Sequence, residues 1–247
     1  MTARGVVALV ATLLALSAAR AAAAERHAAM LAAEHGGQSL FFVDVDRFEY
    51  RAAQGSDDPV AWEARASFGS DVDRFALATE GERSDAANAS RAEVEALYSR
   101  TVTDFFDVEV GARHDYSPDP ERSFAVVRLV GLAPYWVHVD AAAFLSDEGE
   151  ASARLKLQSE VRITQRLLLI PRIETNASAQ DVAERRIGSG IDDVDAGFRL
   201  AYEVRRELAP YVGASWHRLF GDTADFARAA GEHTSELALI AGVRFWY

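Results

Sequence analysis

The stretch Glu236-Leu-Ala-Leu-Ile-Ala-Gly-Val-Arg-Phe-Trp-Tyr247 ends the chain and decides how the rest is read. Leu237, Leu239, Ala241, Val243, Phe245 and Tyr247 fall on one face of an extended backbone. Ala238, Gly242, Arg244 and Trp246 fall on the other, with Ile240 among them. A period of two with unlike faces is that of a β-strand. Chain ends are usually polar and frayed, whereas this one finishes Phe-Trp-Tyr. A transmembrane strand takes about 9–11 residues of this kind, apolar toward lipid and polar toward a lumen. Residues 236–247 are therefore expected to close a barrel.

Working back from that strand, the same alternation recurs. Ala153, Leu155, Leu157, Ser159 and Val161 alternate with Arg154, Lys156, Gln158 and Glu160. Val194, Ala196, Phe198, Leu200, Tyr202 and Val204 alternate with Asp195, Gly197, Arg199, Ala201 and Glu203. Phe106, Val108, Val110 and Ala112 alternate with Asp107, Glu109, Gly111 and Arg113. Residues 124–130 are apolar on both faces, and their pattern alone does not phase them. Twelve strands are expected, at 41–51, 59–68, 72–81, 92–102, 105–116, 122–131, 134–146, 150–162, 166–177, 192–205, 208–219 and 235–247.

The connections between them alternate in length. Those at 52–58, 82–91, 117–121, 147–149, 178–191 and 220–234 are mostly long, polar and rich in Gly, Asp or Ser. Those at 69–71, 103–104, 132–133, 163–165 and 206–207 are short. Outer-membrane barrels carry long loops outside and tight turns in the periplasm. An even strand count puts both ends of the barrel chain on the periplasmic side. Aromatic residues gather near the strand ends, at Phe105-Phe106, Tyr135-Trp136, Trp216 with Phe220, and Phe245-Trp-Tyr247. Rings with one wet edge favour the bilayer interface. The last strand is also similar to the terminal signal that outer-membrane assembly recognises, with Gly242 ahead of Phe245-x-Tyr247. It differs in having Ile240 where that signal prefers a polar residue. The fold class expected is all-β: a transmembrane antiparallel β-barrel of twelve strands over 41–247, preceded by a short periplasmic arm.

Composition agrees. The 247 residues include 16 Gly, 6 Pro and no Cys, so disulfides and thiolate metal ligands are excluded. A net charge of −12 argues against nucleic acid, which needs a basic face. It permits attraction of cations. Arg4, the apolar run 6–16 and the small residues of Ser17-Ala-Ala19 and Ala22-Ala-Ala24 read as a secretory signal peptide over 1–24. The arm follows at 25–40. No later stretch is apolar enough for a transmembrane helix, so the chain is expected to meet outer-membrane lipid through its strands.

No catalytic motif emerges. There is no Gly-x-Ser-x-Gly elbow, no phosphate-cradling glycine loop and no His-Glu-x-x-His. His114-Asp115, His138 with Asp140, and His217 are available, but the sequence marks out no serine beside them. The chain is expected not to be an enzyme. The inward faces carry charges of both signs, among them Asp107, Glu109, Arg113, Arg154, Lys156, Glu160, Arg172, Glu174, Asp195, Arg199, Glu203 and Arg244. In a narrow barrel these groups either pair across the lumen or line a small aqueous path. Asp44, Asp46 and Glu49 form an acidic cluster whose oxygens could hold a hard cation or pair with Arg47 and Arg51. His27, Met30 and His35 differ in kind. Imidazole nitrogen and thioether sulfur suit copper, with methionine favouring the cuprous ion.

Several longer motifs carry a resemblance. Val45-Asp-Arg-Phe-Glu-Tyr-Arg51, Ala96-Leu-Tyr-Ser-Arg100, Tyr116-Ser-Pro-Asp-Pro-Glu-Arg122 and Gly131-Leu-Ala-Pro-Tyr-Trp136 resemble the copper resistance protein B family (CopB, PcoB). So do Asp140-Ala-Ala-Ala-Phe-Leu-Ser146, Gly188-Ser-Gly190, Ala209-Pro-Tyr-Val-Gly213 and Phe220-Gly-Asp-Thr-Ala-Asp225. The resemblance runs from about residue 40 to the end. It implies an outer-membrane protein of a periplasmic copper-resistance system, with copper ions as ligand and other periplasmic copper-resistance proteins as partners. Members of that family carry a long Met- and His-rich segment before the barrel, taken to bind copper. Here Met30 is the one methionine after the signal peptide, so His27, Met30 and His35 are expected as a remnant site, with Asp44 and Asp46 as further metal residues. The function expected is binding of copper and its export or sequestration at the periplasmic face. The alternatives are a narrow general channel not specific for metal, and a structural barrel that docks a periplasmic copper protein.

Overall fold

The computed structural model describes residues 39–53, 60–83, 91–117 and 119–247. It is a closed ring of antiparallel strands. These are β1 (Leu40–Ala53), β2 (Val60–Gly69), β3 (Asp73–Arg83), β4 (Arg91–Thr103), β5 (Phe106–Ser117) and β6 (Arg122–Ala133). They continue as β7 (Val137–Ser146), β8 (Ala151–Ser159), β9 (Leu167–Ser178), β10 (Gly190–Tyr202), β11 (Leu208–Leu219) and β12 (Ser235–Trp246). After Glu160, β8 resumes for Val161–Arg162, paired to β9. Each strand pairs with the next, and β12 returns to β1.

The terminal strand closes the barrel as its alternation predicts. Asp44 lies opposite Trp246 and Ala53 opposite Ala238, and Val43 and Tyr247 exchange two backbone hydrogen bonds of 2.8 Å. Leu237 and Leu239 are 67% and 69% exposed, while Ala238 and Ile240 between and beside them are 4% and 2% exposed. The whole molecule is arranged this way. Phe48, Phe75, Leu77, Val127, Phe198 and Val212 face outward, whereas Glu49, Glu93, Glu109, Asp115 and Arg122 are among the most deeply buried side chains described. A fold surrounded by water has the opposite distribution; one surrounded by lipid has this one. Strand β6, ambiguous in sequence, is phased by Arg128: Phe124, Val126 and Arg128 turn inward, and Val127 and Leu129 face out.

Tight connections fall at one end of the barrel, at 70–72, 104–105, Pro134–Trp136, 163–166 and 203–207. Among the described residues the longer ones, 179–189 and 220–234, fall at the other, together with the short turn 147–150. These are the turn end and the loop end. Two expectations are corrected. The strand placed at 134–146 begins instead at Val137, and Pro134–Trp136 is the turn, with Tyr135 at φ 66° and Trp136 at φ 62°. Proline has no N–H for a ladder, so Leu132 and Ala133 stay in β6, opposite His138 and Val137. The connection read as loop at 220–234 holds a helix, α1 (Gly221–Ala229), which buries Thr223, Ala224 and Ala227.

Gly242 serves the closing strand directly. It lies opposite Tyr211 of β11. A Cβ there would stand 2.6 Å from the Phe48 carbonyl oxygen and 2.7 Å from the Tyr211 ring. Gly242→Val is therefore expected to spread the β1–β12 seam or displace Tyr211, at a cost of about 1–3 kcal/mol. The check is the temperature at which the folded band disappears in a gel-shift series. An unchanged temperature would mean that the seam does not need this close approach.

Candidate functional site

The strands bring their inward charges together into a layer across the middle of the lumen. Arg154 on β8 holds Glu93 on β4 with two bonds, 2.7 and 3.0 Å, and reaches Glu80 on β3 at 3.2 Å. Lys156 joins Glu80 at 2.5 Å to Glu63 on β2 at 2.8 Å. Arg172 on β9 reaches Glu63 at 2.7 Å and Glu174 at 3.1 Å. Arg47 meets Glu80 at 2.9 Å, and Arg113 meets Glu93 at 2.8 Å. Beside the layer, Arg128 binds Glu95 at 2.7 Å and Asp140 at 3.2 Å, and Arg199 binds Glu49 at 2.9 and 3.0 Å. Of the two arrangements open from sequence, pairing across the lumen is the one observed. Each of these buried charges has a partner of opposite sign, the condition under which burial of charge is tolerated.

A cavity lies on each side of this layer. The smaller, of about 120 Å³, is at the turn end. Asp44, Asp46, Glu63, Glu80, Glu93, Glu95 and Asp140 line it against three cations, Arg65, Arg128 and Lys156. The larger, of about 520 Å³, is at the loop end, and Arg154 forms part of its floor. Above that floor guanidinium groups and rings alternate: Arg185, Phe124, Arg113, Phe144 and Arg154, with successive separations of 6.0, 5.0, 4.8 and 5.5 Å. Such contacts favour a cation over the face of a ring. The loops roof this cavity. Arg185 reaches Asp115 of β5 at 2.9 Å, Arg186 pairs with Glu232 at 2.6 Å, and the Gly188 N–H donates to the Thr223 hydroxyl at 2.8 Å.

Of the metal residues expected from sequence, His27, Met30 and His35 lie outside the described residues. Asp44 and Asp46 share the turn-end cavity wall. Two residues apart on β1, they point to one side; a bulge there, with Val45 paired to Ala64 and Arg47 to Glu63, leaves Asp46 as the extra residue and turns Arg47 inward beside it. The arginines near in sequence are not the partners of Asp46. Arg172 approaches it at 3.3 Å and Arg244 at 3.5 Å, while Arg47 and Arg51 turn to Glu80 and Glu49. Glu49 leaves the cluster altogether for Arg199 and the Tyr211 hydroxyl, 3.0 Å away. Among the described residues no three His, Asp or Glu side chains are grouped to hold a metal ion. The turn-end cavity offers carboxylate oxygens and neither imidazole nor thioether, a donor set suited to a cupric rather than a cuprous ion.

The sequence marks out no serine near a histidine, but the β5–β6 register supplies one. The Ser123 hydroxyl lies 3.0 Å from His114 Nδ1, and Glu121 is 3.5 Å from Nε2. This set sits at the outer rim, and neither lumen cavity includes it. His138 shares the inward face of β7 with Asp140, and His217 faces Asp195 across the β10–β11 pair.

A family model described as "Copper resistance protein B precursor (CopB)" matches residues 39–247. Copper resistance protein B of Escherichia coli is 36% identical over 213 residues, which are 86% of this chain and 71% of that protein. The copper resistance protein B homolog of Pseudomonas syringae pv. tomato (strain ATCC BAA-871 / DC3000) is 36% identical over 207 residues, 84% of this chain and 69% of that one. Among solved structures, the NanC porin superposes with a TM-score of 0.54 at 14% identity, over 82% of this chain and 98% of its own. That likeness is one of fold.

Proposed function

This chain belongs to the copper resistance protein B family, and on that premise we propose that it binds copper ions at the periplasmic face of the outer membrane and aids their export or sequestration. The observation that carries the reading is the turn-end cavity, where seven carboxylates face three cations. In outer-membrane barrels the tight turns face the periplasm, so this cavity opens toward the compartment where copper would be met. Strand β1 starts at the same end, where the chain arrives from the arm with His27, Met30 and His35. Copper is the cargo. The arm offers nitrogen and sulfur, and Asp44 and Asp46 offer oxygen further in.

The ion-pair layer favours sequestration at the turn end over a narrow general channel, because any solute, copper included, would have to part Arg154 from Glu93 and Lys156 from Glu80 to pass. We propose no reaction for the chain, a reading that rests on its family and its barrel fold. Periplasmic copper-resistance proteins are the partners this placement fits, and crosslinking in native membranes would find them at the turn end.

The test is copper binding to the purified mature protein, beside a chain lacking 25–38 and an Asp44→Asn/Asp46→Asn double variant. Each change is expected to weaken binding by about tenfold or more, as loss of ligand charge does at other metal sites. Wild-type copper binding and wild-type copper tolerance in both variants would overturn the assignment of these residues.

A further inference from the structure

A second pair of aspartates lies at the other end of the lumen. Asn176 of β9 is opposite Asp193 of β10, but the next residue, Ala177, is opposite Ile191. Asp192 is thus the extra residue of a bulge. A regular strand sends neighbouring side chains to opposite faces, and a bulge re-aims one of them. Asp192 and Asp193 accordingly both line the loop-end cavity, while Ile191 faces outward.

Their partners set them apart from the carboxylates below. Glu93, Glu80, Glu63 and Glu49 each meet a guanidinium or ammonium group. Among the described residues neither Asp192 nor Asp193 has such a partner. Asp193 Oδ1 accepts a bond of 3.0 Å from the neutral Asn176 amide. Asp192 Oδ2 accepts from the Ser178 hydroxyl at 2.7 Å. The remaining oxygen, Asp192 Oδ1, is buried and has no hydrogen-bond partner, on a residue only 7% exposed. The cations of the roof are committed elsewhere, Arg185 to Asp115 and Arg186 to Glu232. A buried carboxylate oxygen without a partner is costly, and the cavity beside it, about 520 Å³, has room for an ion with its water shell.

We propose that Asp192 and Asp193 hold a divalent cation at the loop end of the lumen, with water completing its coordination. The ligands within reach are all oxygen: two carboxylates, with the Ser178 hydroxyl and the Asn176 amide steering them. That set suits a hard or borderline ion in a partly hydrated state. The ion-pair layer separates this site from the turn-end cavity, so it does not depend on copper being the cargo there.

Manganous ion is the probe. Titrated into the purified mature chain in detergent, Mn²⁺ loses its free-ion paramagnetic resonance signal as it binds. One tightly bound equivalent is expected. Asp192→Asn and Asp193→Asn, both isosteric, are each expected to weaken it by about tenfold or more, since affinity follows ligand charge. Asp225→Asn, on an exposed position of α1, and removal of 25–38 should leave it unchanged. Two variants guard against failure of one to fold, which the heat-shifted gel band reports. Binding by both Asn variants at wild-type strength, or no uptake of millimolar Mn²⁺ by the wild type, would overturn the proposal. Loss of copper binding with retained Mn²⁺ binding would separate this site from the turn-end reading.

Discussion

Arg154→Ala is expected to destabilise the barrel by about 3–5 kcal/mol, the cost of stranding a buried charge after its partner is removed. The Arg154 side chain is 2% exposed and serves Glu93 through both terminal nitrogens, Glu80 through one and the Asn176 amide oxygen through Nε. Alanine would leave Glu93 with Arg113 and the more distant Arg91, and Glu80 with Lys156 and Arg47. Unfolding by urea in detergent, followed by tryptophan fluorescence, measures the loss. The same change removes part of the floor between the two cavities. Ion conductance in planar bilayers is therefore expected to rise above a near-silent wild type. Pairing Arg154→Met with Glu93→Gln removes both charges and should recover much of the stability. A stable Arg154→Ala barrel that conducts no better than wild type would mean that the layer neither holds the wall nor blocks the lumen.

Glu49→Leu is expected to be of similar size, about 3–5 kcal/mol, for the complementary reason. Here the carboxylate is lost and the cations remain. The Glu49 side chain has 0% exposure and holds Arg199 at 2.9 Å and Arg51 at 3.1 Å. It also accepts from the Tyr211 hydroxyl, 3.0 Å away. Without it Arg199 keeps, among the described residues, only the face of the Tyr211 ring, 5.8 Å off. The position lies on β1, close to where the ring closes on β12. Glu49→Gln keeps an acceptor and loses the charge, so it should fall between leucine and wild type. The double variant Glu49→Leu/Arg199→Leu should be more stable than Glu49→Leu alone. If the double variant is the weaker of the two, the pair is not the unit that holds this wall.

Much of this architecture could be read from the chain itself, for a definite reason. A strand between lipid and a polar lumen must alternate, so Leu237, Leu239 and their inward neighbours announce the barrel before any coordinate is known. The order of long and short connections is likewise a local property. Who pairs with whom is not. Lys156 meets Glu63, and Arg172 meets Asp46, across a ring whose curvature no linear pattern records. Bulges hide for a related reason. One extra residue reverses the parity of all later positions in its strand, so Asp46 and Asp192 carry no mark of the face they will take. Residues 124–130 of β6 have no phase in sequence because valine and leucine satisfy either side; among them only Arg128 is decided, and its acceptors sit on β4 and β7. Helix α1 is hidden because its nine residues are too few to show a helical stripe against a polar loop.

The ring order has a consequence for how the chain comes together. Eleven of the twelve strand contacts join neighbours in sequence, so each closes over one connection between consecutive strands. The twelfth joins Val43 to Tyr247 and closes a loop of nearly the whole chain. Closure entropy grows only with the logarithm of loop length, but it is met once, at one seam, after every other strand has been ordered. Until then β1 and β12 are both open edges, each with a row of apolar side chains beside unpaired backbone groups. The last pairing to form is therefore the one that turns a sticky sheet into a molecule without edges.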